Sequence, residues 1–450
     1  MLSEIPLVLR TSIAIIIMVL FYDIAFILFS LLYLPCLFFK AKAHKGLWRR
    51  LKLPDTCDFK ESPVWIHAVS VGEVQVASLW VKAIRQKSNK RLVVSTVTKT
   101  GNNLAHKLMG NETTVIYAPL DISIITEKFV KVINPSLFIM IETELWPNII
   151  YSLYKKGVPI ALLNGRISPR SFYGYSRIKF LTRGILNKIS LFCMQTEEDR
   201  QRIINLGASV DKVRVTGNMK FDGMDYADYK KDGADYKIKL GLGSDDKIWV
   251  AGSTHPQEEE IILKAYQRLN SESPALKLLI APRHIERAKE VAGLINKFGF
   301  NPVRVSQLNR SMPPSDGTPS KAVAGQPANR PTVLILDTIG QLRDIYRIAT
   351  FVFVGGSLVK KGGQNILEPA AFAKPIIFGP HMVNFFQISS LYLSRGAAIE
   401  VKDAEELEGA ARRILRDFEY AQELGARAQK IIFENRGATA RNLELIGSLC

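Results

Sequence analysis

Residues 351–380 read FVFVGGSLVKKGGQNILEPAAFAKPIIFGP. Phe351-Val352-Phe353-Val354 is a short apolar run that stops at Gly355-Gly356, the pattern of a buried strand entering a tight turn. A polar loop follows from Ser357 to Gln364, carrying Lys360, Lys361 and a second glycine pair, Gly362-Gly363. Asn365 then opens a short helix over Ile366–Ala373, and Lys374-Pro375 closes it before the next strand, Ile376–Phe378. Strand, glycine loop, helix, strand is a layout in which backbone N–H groups and a helix dipole meet an anion. Asn365 with Glu368 three residues on also matches a capping box, which needs no ligand. The double glycines, the lysines and the following Gly379-Pro380-His381 turn exceed what a helix start requires.

Outward from this stretch the chain alternates apolar runs with helical ones. Val64–Ala68, Arg91–Ser95, Val115–Pro119, Leu137–Ile141, Pro159–Leu163, Leu191–Met194 and Val213–Gly217 read as the strands of one half. Ile248–Gly252, Leu276–Ala281, Val303–Val305, Val333–Leu336, Phe351–Val354 and Ile376–Phe378 read as those of a second. The fold class is α/β, with two doubly wound, Rossmann-like domains facing across a cleft. Phe221–Lys239, rich in Asp, Tyr and Lys, marks the linker. The expected divisions are an anchor at 1–43, a first domain at 44–222 and a second at 223–450. Residues 306–331, dense in Pro, Gly, Ser and Ala, form a flexible insertion in the second domain. Ala404–Gly447 reads as C-terminal helices.

Residues 5–39 are apolar apart from Arg10 and Asp23, and a bilayer crossing needs about 20 apolar residues. A secretory signal peptide is the competing view, and the apolar stretch is too long for one. Lys40, Lys42, Lys45, Arg49, Arg50 and Lys52 come next, so the positive-inside rule keeps everything downstream in the cytoplasm. This basic cluster also suits an anionic lipid surface. Asp23 leaves a half-inserted hairpin open as the alternative to a full crossing. With 450 residues and a net charge of +18, the chain suits an anionic partner. Its four cysteines are far apart and form no C-x-x-C pair, so neither a zinc site nor a disulfide framework is indicated.

Candidate chemistry gathers at the strand ends. Glu73, in H-A-V-S-V-G-E-V, reads either as first-turn dipole compensation or as a general base whose pKa burial would lift. Glu142 and Glu144, in E-T-E-L-W-P-N, follow the strand Leu137–Ile141, and Lys220 lies in G-N-M-K-F-D. Arg166, in N-G-R, can hold a carboxylate or phosphate by a two-pronged contact. In the second half, Ser253 and His255 follow one strand, and Pro282-Arg283 closes the next. His255, His284 and His381 show no i, i+4 pairing, so they read as polar loop residues and no metal site is expected.

The run G-G-S-L-V-x-x-G-G-x-N-x-L-E resembles the nucleotide-sugar site of the two-domain (GT-B) glycosyltransferases, and specifically the 3-deoxy-D-manno-octulosonic acid (Kdo) transferases of lipopolysaccharide synthesis. H-A-V-S-V-G-E-V, E-T-E-L-W-P-N and G-N-x-K-F-D are similar to further motifs of that family. The resemblance covers the chain apart from the insertion. It implies transfer of Kdo from CMP-Kdo to the 6′-hydroxyl of the tetraacyl lipid A precursor, with inversion and without a metal cofactor, at the inner membrane on its cytoplasmic side. It further implies Glu73 as general base, and Glu142 and Lys220 as stabilisers of the transition state. For the cytidine monophosphate it implies contacts from Pro282, Arg283, Ile339, Gly340, Gln341, Asn365, Ile366, Leu367 and Glu368. Arg166, Ser253, His255, Gly355, Gly356, Lys360 and Gly363 are further candidate substrate contacts. The partners expected are the lipid acceptor and anionic inner-membrane lipid, with no nucleic acid. Two rival readings stay open: a GT-B transferase or epimerase acting on a UDP-sugar, and a membrane-tethered binder of anionic polymer, the latter predicting salt-sensitive nucleic-acid binding.

Overall fold

A computed structural model of the chain describes residues 22–24, 26–28, 49–52, 59, 61–223, 233–308 and 331–449. The chain divides into two units, Met1–Gly223 with Asn435–Cys450, and Met224–Glu434.

The first unit runs β1 (Val64–His67), α1 (Val71–Arg85), β2 (Leu92–Thr96), α2 (Lys99–Met109), β3 (Thr113–Tyr117), α3 (Ser123–Ile133), β4 (Leu137–Ile141), α4 (Pro147–Lys155), β5 (Ile160–Gly165), α5 (Pro169–Arg177), α6 (Lys179–Leu186), β6 (Leu191–Met194), α7 (Glu197–Asn205) and β7 (Val213–Val215). Its sheet has the order β3-β2-β1-β4-β5-β6-β7, and every pairing is parallel. Strands β1 and β4 are buried at every residue, which is why they read as unbroken apolar runs: helices cover both faces. Ser70, Thr98, Ser168 and Thr196 each stop a strand-to-helix turn by accepting an N–H three residues on, the ordinary chemistry of an N-cap.

The second unit runs α8 (Ala234–Lys239), β8 (Lys247–Thr254), α9 (Glu258–Glu272), β9 (Leu276–Pro282), α10 (Ala288–Lys297), β10 (Asn301–Arg304), α11 (Val305–Leu308), β11 (Thr332–Ile335), α12 (Leu342–Ile348), β12 (Phe351–Val354), α13 (Leu367–Ala371), β13 (Ile376–Phe378), α14 (Phe386–Ser394), β14 (Ile399–Glu400), α15 (Ala404–Arg416) and α16 (Phe418–Glu434). Its order is β10-β11-β9-β8-β12-β13-β14, again parallel throughout. The winding reverses between β1 and β4 in the first unit and between β8 and β12 in the second. Open sheets bind ligands at the strands' carboxyl ends beside such reversals. The loops singled out from the sequence begin there.

Several expectations need correction. The last residues do not join the second domain: α17 (Ala438–Gly447) buries Ala438, Leu443 and Ile446 in the same apolar cluster as Val76 and Trp80 of α1. Asp222 secures this return, its carboxylate accepting the N–H groups of Gly437 (2.7 Å) and Thr439 (2.6 Å). The strand expected at Val303–Val305 is Asn301–Arg304, and Val305 opens α11. Pro302 is tolerated because β10 is an edge strand, where a missing N–H breaks no ladder. The helix expected over Ile366–Ala373 is only Leu367–Ala371. The short edge strand β14 has too little apolar pattern to stand out.

The anchor at 1–43 lies outside the described residues except at 22–24 and 26–28, and the insertion lies outside them over 309–330. Among the described residues no helix is long and apolar enough to cross a membrane. Asp23 has a place in the first unit. Its carboxylate accepts Ser123 N (3.2 Å), Ser123 Oγ (2.5 Å) and Asn148 Nδ2 (2.6 Å). Helix α3 has no side-chain N-cap of its own, and an acid from 100 residues away supplies one.

Replacing Asp222 by Ala removes a cap that bridges two distant parts of the chain. The expected cost is about 1–2 kcal/mol, read as faster amide hydrogen exchange at Gly437 and Thr439 and a lower denaturation midpoint for the first unit.

Candidate active site

Glu73 lies in the first turn of α1, at the carboxyl end of β1 and beside the reversal to β4. It is 6% exposed. Its Oε2 accepts the N–H of Val69 at 2.7 Å, and its Oε1 accepts the hydroxyl of Ser70 at 2.6 Å. The first-turn reading of this residue is realised in geometry, since Glu73 fastens the helix start with its carboxylate. A carboxylate offers about four lone-pair positions, so this one keeps room for a further proton. Burial pushes its pKa from the ordinary 4.5 up to about 7; Ser70 and Val69 pull it down, and the charges of Glu144 and Glu142 add to the rise.

The acidic neighbours come from the end of β4. Glu142 sits in the left-handed region at φ 60° and pairs with Lys220 Nζ at 3.2 Å. Glu144 accepts the indole N–H of Trp146 at 2.9 Å, and desolvation raises its pKa. The two acids therefore diverge in their partners, and Lys220 compensates one of them. Lys220 is brought there by Asn164, at φ 56° in β5, whose Oδ1 accepts Met219 N at 2.9 Å. Arg166 is tied to the same corner by its backbone: its N–H reaches Thr143 Oγ1 at 3.1 Å, and its carbonyl accepts the Thr143 hydroxyl. His67, at the end of β1, is not a rival base. Burial first, then Arg50, pushes its pKa down to about 3, so the imidazole is neutral and bound through Nδ1 to Ser95 Oγ at 2.9 Å.

In the second unit the other candidates follow the carboxyl ends of β8, β9, β11 and β12. Ser253 sits at φ 56°, and Gly355 packs so closely that a Cβ there would lie 2.5 Å from the Ser253 carbonyl oxygen. Arg283 follows Pro282 at the end of β9, its N–H held by the Thr254 carbonyl at 2.9 Å. Glu368 is half-buried. Desolvation raises its pKa, opposed by a hydrogen bond from Asn365 and by the charges of Arg343 and Arg283. Asn365 donates Nδ2 to Glu368 at 3.1 Å and accepts Leu367 N at 3.0 Å. The pair is bonded side chain to side chain, and Ile366 stands at the N-cap with no side-chain bond. Ile366 and Leu367 bury their side chains, which leaves only their backbone for a ligand. Gln341 accepts the Thr338 hydroxyl at 2.5 Å next to Gly340 and the exposed Ile339. Lys360 and Lys361 are exposed, and Gly363 donates its N–H to Gly356 O at 2.8 Å.

One sequence expectation is narrowed here. At the start of the glycine loop the N–H groups of Gly356, Ser357 and Leu358 are already taken, donating to the Glu258 carboxylate at 2.7–2.9 Å. With five residues, α13 also carries too few aligned peptides for much of a dipole. Glu258 does not stand out in the sequence because Glu258-Glu259-Glu260 looks like the usual acidic first turn of a helix. His255 belongs to the same cluster, and its buried Nε2 has no hydrogen-bond partner among the described residues. Its pKa is lowered by burial, then by His284, Lys361, Arg283 and Arg287. Among the described residues no group of three or more His, Cys, Asp or Glu side chains is placed to hold a metal ion.

Residues 45–223 match the protein family described as 3-Deoxy-D-manno-octulosonic-acid transferase (kdotransferase). Over 385 residues the chain is 35% identical to the 3-deoxy-D-manno-octulosonic acid transferase of Haemophilus influenzae, covering 85% of this chain and 86% of that one. It is 31% identical to the transferase of the same name from Chlamydophila psittaci, covering 84% of each. Among solved structures, a putative UDP-N-acetylglucosamine 2-epimerase from Listeria monocytogenes superposes with a TM-score of 0.57 at 13% identity, over 86% of this chain and 96% of that one. That likeness speaks to fold alone, two parallel Rossmann-like sheets of the GT-B type. Matched along most of its length by such relatives, the chain belongs to the 3-deoxy-D-manno-octulosonic acid transferase family of GT-B glycosyltransferases.

Proposed function

We propose that this transferase moves Kdo from CMP-Kdo to the 6′-hydroxyl of the distal glucosamine of a tetraacylated disaccharide bisphosphate, the lipid A precursor, in lipopolysaccharide inner-core synthesis. The observation that carries the reading is Glu73: a buried carboxylate at a strand's carboxyl end, only partly satisfied, with its pKa near 7. Such a group is ionised often enough near neutrality to act, yet basic enough to accept a proton from an alcohol. Glu73 takes the hydroxyl proton as that oxygen attacks the anomeric carbon, and CMP departs from the opposite face, which inverts the centre. Lys220, paired with Glu142, supplies positive charge at the reacting end of the first unit. In the second unit Arg283, Gln341, Asn365 and Glu368 hold the nucleotide, and His255 and Lys361 meet its phosphate. A net charge of +18 and an apolar N-terminal stretch suit an acidic lipid acceptor at the inner membrane, with the chemistry on the cytoplasmic side. The groups named can carry the displacement by proton transfer and fixed charge, with no resident metal in the scheme.

Glu73→Gln keeps the Ser70 and Val69 contacts in reach but cannot take a proton. Turnover of CMP-Kdo with the lipid acceptor is expected to fall about a hundredfold or more, with an unchanged circular dichroism spectrum. Product is read by mass spectrometry of the lipid; normal turnover in the folded variant removes Glu73 as the base.

The pH profile gives an independent check. Because the base works ionised, kcat/KM should rise with pH through an apparent pKa near 7. Glu144→Gln removes a like charge that raises the Glu73 pKa, so the acid limb should move to lower pH. The acceptor's own phosphates titrate identically in both profiles, so a shift between them belongs to the enzyme. Coincident limbs would uncouple Glu144 from the base.

A further inference from the structure

The glycine loop after β12 is held by an anion that the protein supplies itself. Glu258, the first residue of α9, has no exposed surface. Its carboxylate accepts four backbone N–H groups: His255 at 2.9 Å, Gly356 at 2.7 Å, Ser357 at 2.9 Å and Leu358 at 2.9 Å. Consecutive N–H groups converging on one point make a nest, a concavity suited to anions. Ser357 fastens the other side of the loop. Its hydroxyl donates to Val354 O at 2.5 Å and accepts Gly379 N at 2.8 Å, and its carbonyl accepts His381 N at 2.9 Å.

We propose that Glu258 is a positioning residue for the donor, an internal anion that fills the nest, sets the shape of Gly356–Leu358 before any ligand arrives and leaves the donor's phosphate to side chains around it. This rests on the reading of the second unit as the CMP-Kdo site. His255 is the first of those side chains. Its N–H is held by Glu258 itself, and its ring lies against Gly356, where an added Cβ would stand 3.5 Å from Nε2. That nitrogen is buried and without a partner among the described residues. Arg283 and Lys361 add charge in the same neighbourhood. Without the internal carboxylate, four inward-pointing N–H groups would repel one another or capture the phosphate at the wrong place. The loop is thus preorganised, and binding need not spend energy on ordering it.

The experiment uses the full chain and CMP as probe, with donor kinetics beside calorimetric binding. Wild-type protein is measured first: if it does not bind CMP, the donor reading fails and this inference falls with it. Glu258→Gln presents one carbonyl oxygen to the nest and turns an amide N–H₂ against the remaining N–H groups. In the folded variant the Kd for CMP and the donor KM are expected to rise roughly tenfold or more, with kcat changed far less. Formate added to Glu258→Ala should refill the nest and restore CMP binding. Wild-type affinity in both folded variants overturns the proposal, as does a formate addition without effect. Loss of fold in Glu258→Gln also overturns it, since the acid would then be a requirement of the fold and not of donor binding.

Discussion

Four backbone N–H groups converge on the carboxylate of Glu258, and the arrangement of strand ends in the second unit follows from that meeting. A buried carboxylate without partners costs several kcal/mol, and a cluster of inward N–H groups without an acceptor is costly too. Each cost is removed only by the other group. The loop after β12 therefore has one low-energy shape, and it is set from the start of α9. Thr254 and Glu259 continue the same construction: the Thr254 hydroxyl donates to Glu259 at 2.9 Å, and Arg287 closes on Glu259 at 2.8 Å. Glu258 and Glu259 are structural members of the strand-end assembly, whereas exposed first-turn acids such as Glu260 act mainly on the helix dipole.

Glu73 occupies the corresponding place in the first unit, at the first strand-to-helix turn beside the reversal of winding, and its chemistry differs for a countable reason. Glu258 receives four donors and Glu73 two. With about four lone-pair positions on a carboxylate, the first is saturated and the second is not. Both have their pKa raised by desolvation, and in Glu258 all the opposing contributions are backbone hydrogen bonds. The same fold position thus yields a fixed anion in one unit and a protonatable group in the other. What differs is whether the neighbouring loop turns its N–H groups inward.

How much of this could be read from the chain depends on range. Phe351–Val354 and Leu137–Ile141 are legible as strands because a strand covered on both faces is a continuous apolar run, and their bounds agree to the residue. Glu73, Glu142, Lys220 and Asn365 stand out through motifs at strand ends. Asp222 gives no local sign of its capping role, because its partners, Gly437 and Thr439, lie more than 200 residues away and no short-range pattern carries that pairing. The same limit hides the return of α17 to the first unit. Glu258 escapes notice for a different reason, since the acidic turn that contains it is a common composition with a sufficient local explanation.

The backbone at these strand ends carries a further sign of constraint. Glu142 after β4, Asn164 in β5 and Ser253 in β8 all adopt left-handed φ values between 56° and 60°. For a residue with a Cβ this costs of the order of 1–3 kcal/mol, less for asparagine, which tolerates the region. The strain persists because surrounding bonds over-determine it. Glu142 N is held by Leu163 O at 2.9 Å and its carboxylate by Lys220, Asn164 is held through Met219, and Ser253 is wedged against Gly355. An extended continuation of β4 would keep the Glu142 side chain on a sheet face, under a helix. The left-handed turn instead carries it to where its charge acts on Glu73 and meets Lys220. Local stability is given up at Glu142 and Asn164, and what is obtained is the juxtaposition of two acids and a lysine that no regular strand or helix could present together.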